Sequence, residues 1–459
     1  MSTGYASCLP LLGPGVPLDA PVCWRAGRPI SRRQFLHDVN ALAALLPSAG
    51  PLLAMTSDRY RFVQAFVAAM LRGQAGLLPP NNTPDMVGWL RVLFPDAYAL
   101  TEPRATAVDM PSLEFPPDAG DNLQADLDVP QFAVDLEVAH VLTSGSTGRP
   151  VPHPKRWDLL VRGGLAGAER IAAHMGRADL HGVTVVGTVP AHHMFGFEST
   201  VMLPMVGGAA FAAERPLFPG DVAHVLAAVP RPRVLVTTPV HLKALVESGV
   251  AMPPVDLMVS ATAPLSTQLA QRAEASFGGP LMEIYGCTEA GQVASRRTSV
   301  SAEWHTIGGL ALSGDGQSPV VSGGHVAVPT PLADVLEILS PTRFRLLGRS
   351  NDMVNVAGKR TSLAHLNHQL ASVEGVRDGA FWVRPGSDAE DVVRLVALVV
   401  APGLDRSALL RALRERIDAA FLPRPILQVD ALPRDPSGKL PEAALARLAT
   451  RLLEEASRG

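Results

Sequence analysis

Thr143, Ser144, Gly145, Ser146, Thr147 and Gly148 place four hydroxyls and two glycines directly after the mostly apolar run Val138 to Leu142. Glycine lets a backbone approach a ligand closely and adopt positive φ. Hydroxyls and freed backbone N–H groups are donors suited to phosphate oxygens. A strand emptying into such a loop reads as a phosphate cradle. The pattern is not G-x-x-x-x-G-K-S/T, because Arg149 and Pro150 follow Gly148. Nor is it G-x-G-x-x-G. Taken alone it is as easily an ordinary Ser/Gly turn.

Three later segments carry further chemistry. Tyr285-Gly286-Cys287-Thr288-Glu289 follows a strand-like run and sets a hydroxyl and a carboxylate at its end. A carboxylate there suits Mg²⁺, which takes hard oxygen ligands and substrate phosphates. Gly348-Arg349-Ser350-Asn351-Asp352 is a hinge-like stretch, and Leu432 to Lys439 carries a lysine on a Pro/Gly-shaped loop. Lysine is rare in this chain: Lys155, Lys243, Lys359 and Lys439 are the lysines among 40 basic residues. A compact ammonium is not equivalent to a guanidinium, so each lysine is a candidate, with Lys243 read as a solvated helix residue. In Pro190-Ala191-His192-His193-Met194-Phe195-Gly196, paired histidines raise the question of zinc. No Cys/His cluster with ligand spacing lies nearby. Cys287 reads as packing rather than as a nucleophile.

These segments need elements to hold them. Ser31 to Leu46 has an N-cap serine and an apolar face for a helix, and Ser57 caps a second helix ending at Gly73. Strand-like runs recur at 51–55, 75–78, 184–188, 209–213, 234–237, 255–259 and 281–285, with helical stretches between. The alternation predicts an α/β fold, its large N-terminal domain built of mostly parallel sheets flanked by helices. Ligands in such folds bind at the carboxyl ends of strands. Short antiparallel strands follow at 320–328 and 334–347. Beyond them helix 362–372, strands 379–383 and 392–400, and helix 405–420 predict a small α+β C-terminal domain. The boundary falls near 350, giving domains 1–349 and 350–459. Residues up to about 20, and 111–120, read as loops.

Composition narrows the classes. A net charge of −3 gives no whole-chain bias toward nucleic acid or anionic membranes. Cys8, Cys23 and Cys287 are too few and too odd for a disulfide framework. With no basic-then-apolar N-terminal region and no uncharged run of spanning length, the expectation is a cytoplasmic protein with no membrane partner.

In the order and spacing of its four motifs, residues 140 to 440 resemble the adenylate-forming superfamily of acyl- and aryl-CoA synthetases, adenylation domains and luciferases. The resemblance implies an enzyme using ATP and Mg²⁺. A carboxylic acid attacks the α-phosphate to give an acyl-adenylate and pyrophosphate, and a thiol of CoA or an acyl carrier protein then displaces AMP. It assigns Thr143 to Gly148 to the β- and γ-phosphates, Thr288 to the α-phosphate and Glu289 to the metal. Asp334 and Arg349 become ribose contacts. Ala263 and Pro264, with Glu283, Ile284, Tyr285 and Gly286, become the adenine walls. His193, Phe195 and Gly196 line the acid pocket, Asp352 is the hinge of a mobile C-terminal lid, and Lys439 is the adenylation lysine.

The chain departs from the family at several points. Val151 stands where the loop usually has lysine, leaving Lys155 or His153 as substitutes. Asn355 replaces another common lysine, and Thr361 to His365 lacks the usual acidic residue. The variant pattern is similar to the small ligases of aryl polyene and xanthomonadin-type pigment clusters, which implies an aryl acid such as a hydroxybenzoate. A medium-chain acyl-CoA synthetase and a non-catalytic nucleotide-binding homologue are the alternatives. Arg406, Arg411, Arg414, Arg416 and Arg424 could dock an acidic carrier protein, or form a solvated face with pairs such as Arg411 with Glu415. Lys359 and Arg360 could meet the phosphates of CoA.

Overall fold

The computed structural model describes residues 7–105, 107–117, 127–144, 150–349, 353–356, 359–384, 394–434 and 440–458. The fold is α/β, with large sheets flanked by helices. The larger sheet has 11 strands. Its parallel centre runs, in spatial order, Leu281–Cys287, Leu257–Ser260, Arg233–Thr237, Thr184–Gly187, Ala210–Ala212 and Pro21–Arg25. Antiparallel strands extend it on both sides, from Gly291–Arg296 to Asp334–Ser340 at one edge and with Arg28–Ser31 at the other. Side chains alternate faces along a strand. Accordingly Val234, Val236, Leu257 and Val259 pack on one side with Ile171 and Ala172 of helix Trp157–His174. Leu235 and Met258 pack on the other side with Leu242, Ala270 and Phe277 of two further helices.

The second sheet has six strands, mostly parallel, and ends in the antiparallel hairpin Glu137–Ser144 and Pro150–Arg156. Helices Arg32–Leu45 and Arg59–Leu71 contribute to the core that joins the two sheets. The second of these is capped by Asp58, whose side chain accepts the Arg61 N–H, and not by Ser57. An ionised carboxylate at a helix N-terminus also complements the macrodipole. Two expected loops contain short strands. Cys8–Pro10 pairs with Gln131–Ala133, and Ser112–Glu114 extends the second sheet beside Tyr98–Thr101. Backbone pairing makes both, so the apolar pattern that marks longer strands is lacking.

Arg59 ties this framework together at the carboxyl ends of the strands. Its guanidinium donates to the carbonyls of Ala212, Glu214, Gly187 and Val189 and to Thr200 Oγ1, at 2.8–3.1 Å. Full burial lowers its pKa to about 10.

From residue 354 onward the apolar side chains form two clusters of their own, around Leu366 and Phe381 and around Trp382 and Ala449. Strands Asp378–Arg384, Arg394–Val400 and Ile426–Gln428 make a three-stranded sheet carrying helices Leu363–Ala371, Arg406–Arg414 and Glu442–Arg458. The expected helix 405–420 is shorter, starting at its Asp405 cap and stopping at Arg414. Glu415 lies 3.9 Å from Arg416, and among the described residues it makes no ion pair with Arg411. Lys243 is not merely solvated: its ammonium donates to the carbonyl of Arg377. Among the described residues no helix is long and apolar enough to cross a membrane.

Candidate active site

The hairpin strands Glu137–Ser144 and Pro150–Arg156 flank the segment expected to hold phosphate. In register, Val151 lies opposite Thr143 and Lys155 opposite Ala139, and Ser144 pairs with Pro150. Gly145, Ser146, Thr147 and Gly148 lie outside the described residues. Alternation puts Val151, His153 and Lys155 on one face. Val151 is 44% exposed. Two residues on, His153 Nε2 lies 3.0 Å from Thr143 Oγ1 and 3.9 Å from Glu289 Oε1. Burial lowers the His153 pKa. Lys155 donates its ammonium to the carbonyl of Thr288. Thus the hairpin side chains that follow Val151 reach the very turn that carries Thr288 and Glu289.

That turn joins strands Leu281–Cys287 and Gly291–Arg296. The Glu289 side chain is half exposed, with Cys287 beside it and His153 at the longer distance given above. One exposed carboxylate is the donor set that Mg²⁺ accepts when phosphates and water complete its shell, so Glu289 fits that ion. Among the described residues, no group of three His, Cys, Asp or Glu side chains is placed to hold a metal. Cys287 is half-buried, and burial pushes its thiol up to about 11. A thiol held protonated is a poor nucleophile.

On the same strand, Tyr285 donates its hydroxyl to Asp334 Oδ2 at 2.7 Å. Its ring packs against Trp304 and Phe344, which stack on each other. Asp334 opens strand Asp334–Ser340, where its backbone partner is Arg349. The two expected ribose contacts are therefore neighbours across one ladder. Ala263 is half-buried and Pro264 exposed, in the loop after Leu257–Ser260. The preceding Thr262 has φ of 80°, costly for a β-branched residue. Glu283 is buried, and its carboxylate is taken up by Arg296 and Thr298 at 2.6–2.8 Å. Ile284 is buried in the apolar cluster on the opposite face. What these two residues can offer an adenine is therefore backbone.

His193 caps helix Met194–Phe197 and lies 3.0 Å from the carbonyl of Pro80. A carbonyl only accepts, so Nε2 carries the proton. Its ring meets that of His192 edge-on at 4.7 Å. Burial first, then the charges of His193 and Arg215, hold His192 at about 3, neutral at physiological pH. Phe195 packs against the apolar cluster to which Ile284 and Ala261 belong. A Cβ on Gly196 would stand 1.9 Å from the Pro190 carbonyl oxygen, so only glycine lets the segment fold back this tightly. Asp352 and Lys439 lie outside the described residues, as do Ser350 and Asn351. Lys359 and Arg360 are described only as backbone in strand Lys359–Ser362.

The sequence reading missed Glu198, buried beneath the Thr288 turn, and the Tyr285–Asp334 bond. It also missed Arg59. The one local signal was Gly291 just after Thr288-Glu289-Ala290, a glycine where a turn returns into a strand.

A sequence profile of the family described as AMP-binding enzyme matches residues 101–335. A 4-coumarate–CoA ligase of Rhodobacter capsulatus is 34% identical over 279 residues, covering 61% of this chain and 67% of that one. Another 4-coumarate–CoA ligase, from Halorhodospira halophila, is 29% identical over 317 residues, covering 65% and 73%. Among solved structures, ATP-bound MatB from Rhodopseudomonas palustris matches with a TM-score of 0.76 at 18% identity, over 94% of this chain and 97% of that one. The anthranilate CoA ligase AuaEII in complex with anthranoyl-AMP matches with a TM-score of 0.74 at 17% identity, over 98% and 99%. At those identities the structures speak for the fold. The profile spans half of the chain, and the protein belongs to the AMP-binding enzyme family, within the adenylate-forming superfamily.

Proposed function

We propose that this protein is an AMP-forming acid–thiol ligase. A carboxylate oxygen of the acid attacks the α-phosphorus of ATP, the bond to the bridging oxygen breaks, and pyrophosphate leaves. The sulfur of a thiol, losing its proton, then attacks the acyl carbon, and AMP leaves with the electron pair of the acyl–oxygen bond. Negative charge grows on the phosphates in the first step, so fixed donors and cations aimed there lower its barrier. In this reading Thr143 to Gly148 hold the β- and γ-phosphates, and Thr288 the α-phosphate. Tyr285 orients Asp334 for the ribose, beside Arg349, and Ala263 and Pro264 cover the adenine. Mg²⁺ would be held by Glu289 and would neutralise phosphate charge. Residues 350–459 form the lid, hinged at Asp352, and bring in Lys439; its withdrawal frees space for the thiol.

The observation that carries the reading is the convergence of Thr143, His153, Lys155, Thr288 and Glu289 on one turn at a strand's carboxyl end. The relatives act, by name, on 4-coumarate, and Phe195, two residues after His193, packs in an apolar cluster that suits a ring. We therefore take the acid to be an aryl acid, such as a hydroxybenzoate, and the acceptor to be CoA or an acyl carrier protein. The test is AMP release over benzoates, cinnamates and short fatty acids, with both acceptors in competition. An aryl acid should lead the panel. ATP binding by calorimetry with no pyrophosphate from any acid would favour the non-catalytic homologue instead.

A further inference from the structure

The turn that carries Thr288 and Glu289 is held from beneath by two charged residues that reach it from elsewhere in the fold. The first is Lys155, which comes from the phosphate hairpin and donates to the Thr288 carbonyl across 133 positions of chain. Burial lowers its pKa, against the pull of Glu198, Cys287 and Glu289. Such a lysine is expensive to keep charged unless something answers it.

The answering charge is Glu198. It is 8% exposed and opens the π-helix Glu198–Met202, which continues directly from Met194–Phe197. π-Helical turns are rare and concentrate at functional sites. The Glu198 carboxylate accepts the backbone N–H of Gln292, just past the turn. It also fills the space that a side chain on Gly291 would need, since a Cβ there would stand 2.4 Å from Glu198 Oε1. Gly291 has φ of 73°, so glycine answers both demands at once. Each charge acts on the other, though no ion pair closes within 4 Å among the described residues. The turn is thus gripped at its entry by Lys155 and at its exit by Glu198. Glu198 in turn belongs to the helical run that begins at His193.

We propose that Lys155 and Glu198 are positioning residues for adenylate formation, clamping the Thr288–Glu289 turn to the phosphate hairpin on one side and to the acid-pocket helix on the other. The inference rests on the reading of Thr288 and Glu289 given above. Neither residue touches substrate; each acts through the turn. A misplacement of about 1 Å at a reacting centre can cost about 10²-fold in rate, which sets the scale of the effect.

The test is ATP–pyrophosphate exchange by the full chain, with Lys155→Met, Lys155→Arg, Glu198→Gln and Gly291→Ala. Lys155→Met should lower kcat about 10- to 100-fold and leave KM for the acid within about twofold. Lys155→Arg, which can still donate to the Thr288 carbonyl, should recover most of the loss. Glu198→Gln keeps the shape and should fold normally. Gly291→Ala pushes Glu198 aside, so the double variant Gly291→Ala/Glu198→Gln should be no slower than the worse single variant. Unchanged kcat in both Lys155→Met and Glu198→Gln would overturn the clamp. So would losses confined to KM for the acid, or losses that multiply in the double variant. Absence of exchange in the unaltered protein with every acid would overturn the ligase reading, and the clamp with it.

Discussion

Replacing Glu198 by glutamine removes one buried titratable group and keeps its outline. Burial raises the Glu198 carboxyl from 4.5 to about 7, despite the attraction of Lys155 and the Gln292 N–H. Between those values the folded protein holds a proton that the unfolded chain has released. Folding is therefore favoured by this group below pH 4.5, and the advantage is lost as pH rises through 7. The span from 4.5 to about 7, at about 1.4 kcal/mol per pH unit, is worth about 3 kcal/mol in all. Most of it, about 2–3 kcal/mol, falls between roughly pH 5 and 8. Other groups titrate over the same range, so the quantity to follow is the difference between the two proteins. Denaturant unfolding at several pH values from 5 to 8 measures it. Glutamine should gain on the native residue by about 2–3 kcal/mol across that range. A difference that stays flat with pH would mean that Glu198 ionises freely, and would refute the account of its burial.

Two other outcomes follow from the same geometry, and a third from the proposed reaction. Tyr285→Phe deletes the donor to Asp334 and keeps the ring among Trp304 and Phe344. One such hydrogen bond is worth about 0.5–1.5 kcal/mol, so KM for ATP should rise about 2- to 10-fold with KM for the acid unmoved. Arg59→Met strands four backbone carbonyls and a threonine hydroxyl that the guanidinium now serves. At about 1–3 kcal/mol for each unmet buried group, the denaturation midpoint should collapse, and a shift of under about 1 kcal/mol would sink the claim that Arg59 organises the strand ends. Lys439→Ala should lower exchange about 10²- to 10³-fold; retained exchange would remove the adenylation role from that lysine.

What could be read from the chain alone divides along a physical line. Strands and helices were legible where caps and apolar alternation are local, as at Ser31 before Arg32–Leu45 and in the runs through Val234 and Leu257. The place of Thr288-Glu289 was legible too, at the carboxyl end of the strand-like run that becomes Leu281–Cys287. The strand Ser112–Glu114 was not, because all three of its residues are exposed and only its ladder to Tyr98–Thr101 makes it a strand. Nor was the choice of Asp58 over Ser57, since both types cap helices and only the fold picks one. The clamp lies furthest from view. A lone glutamate in Phe-Gly-Phe-Glu-Ser-Thr reads as nothing until Gly291 and Gln292, more than ninety positions away, are folded against it. Lys155 is a second such case. Its bond to the Thr288 carbonyl spans 133 positions of chain, and His153 comes within 3.9 Å of Glu289 from the same strand. Neither contact leaves a local mark, because the register of the hairpin and the return of strand Leu281–Cys287 beside it are made only by the fold.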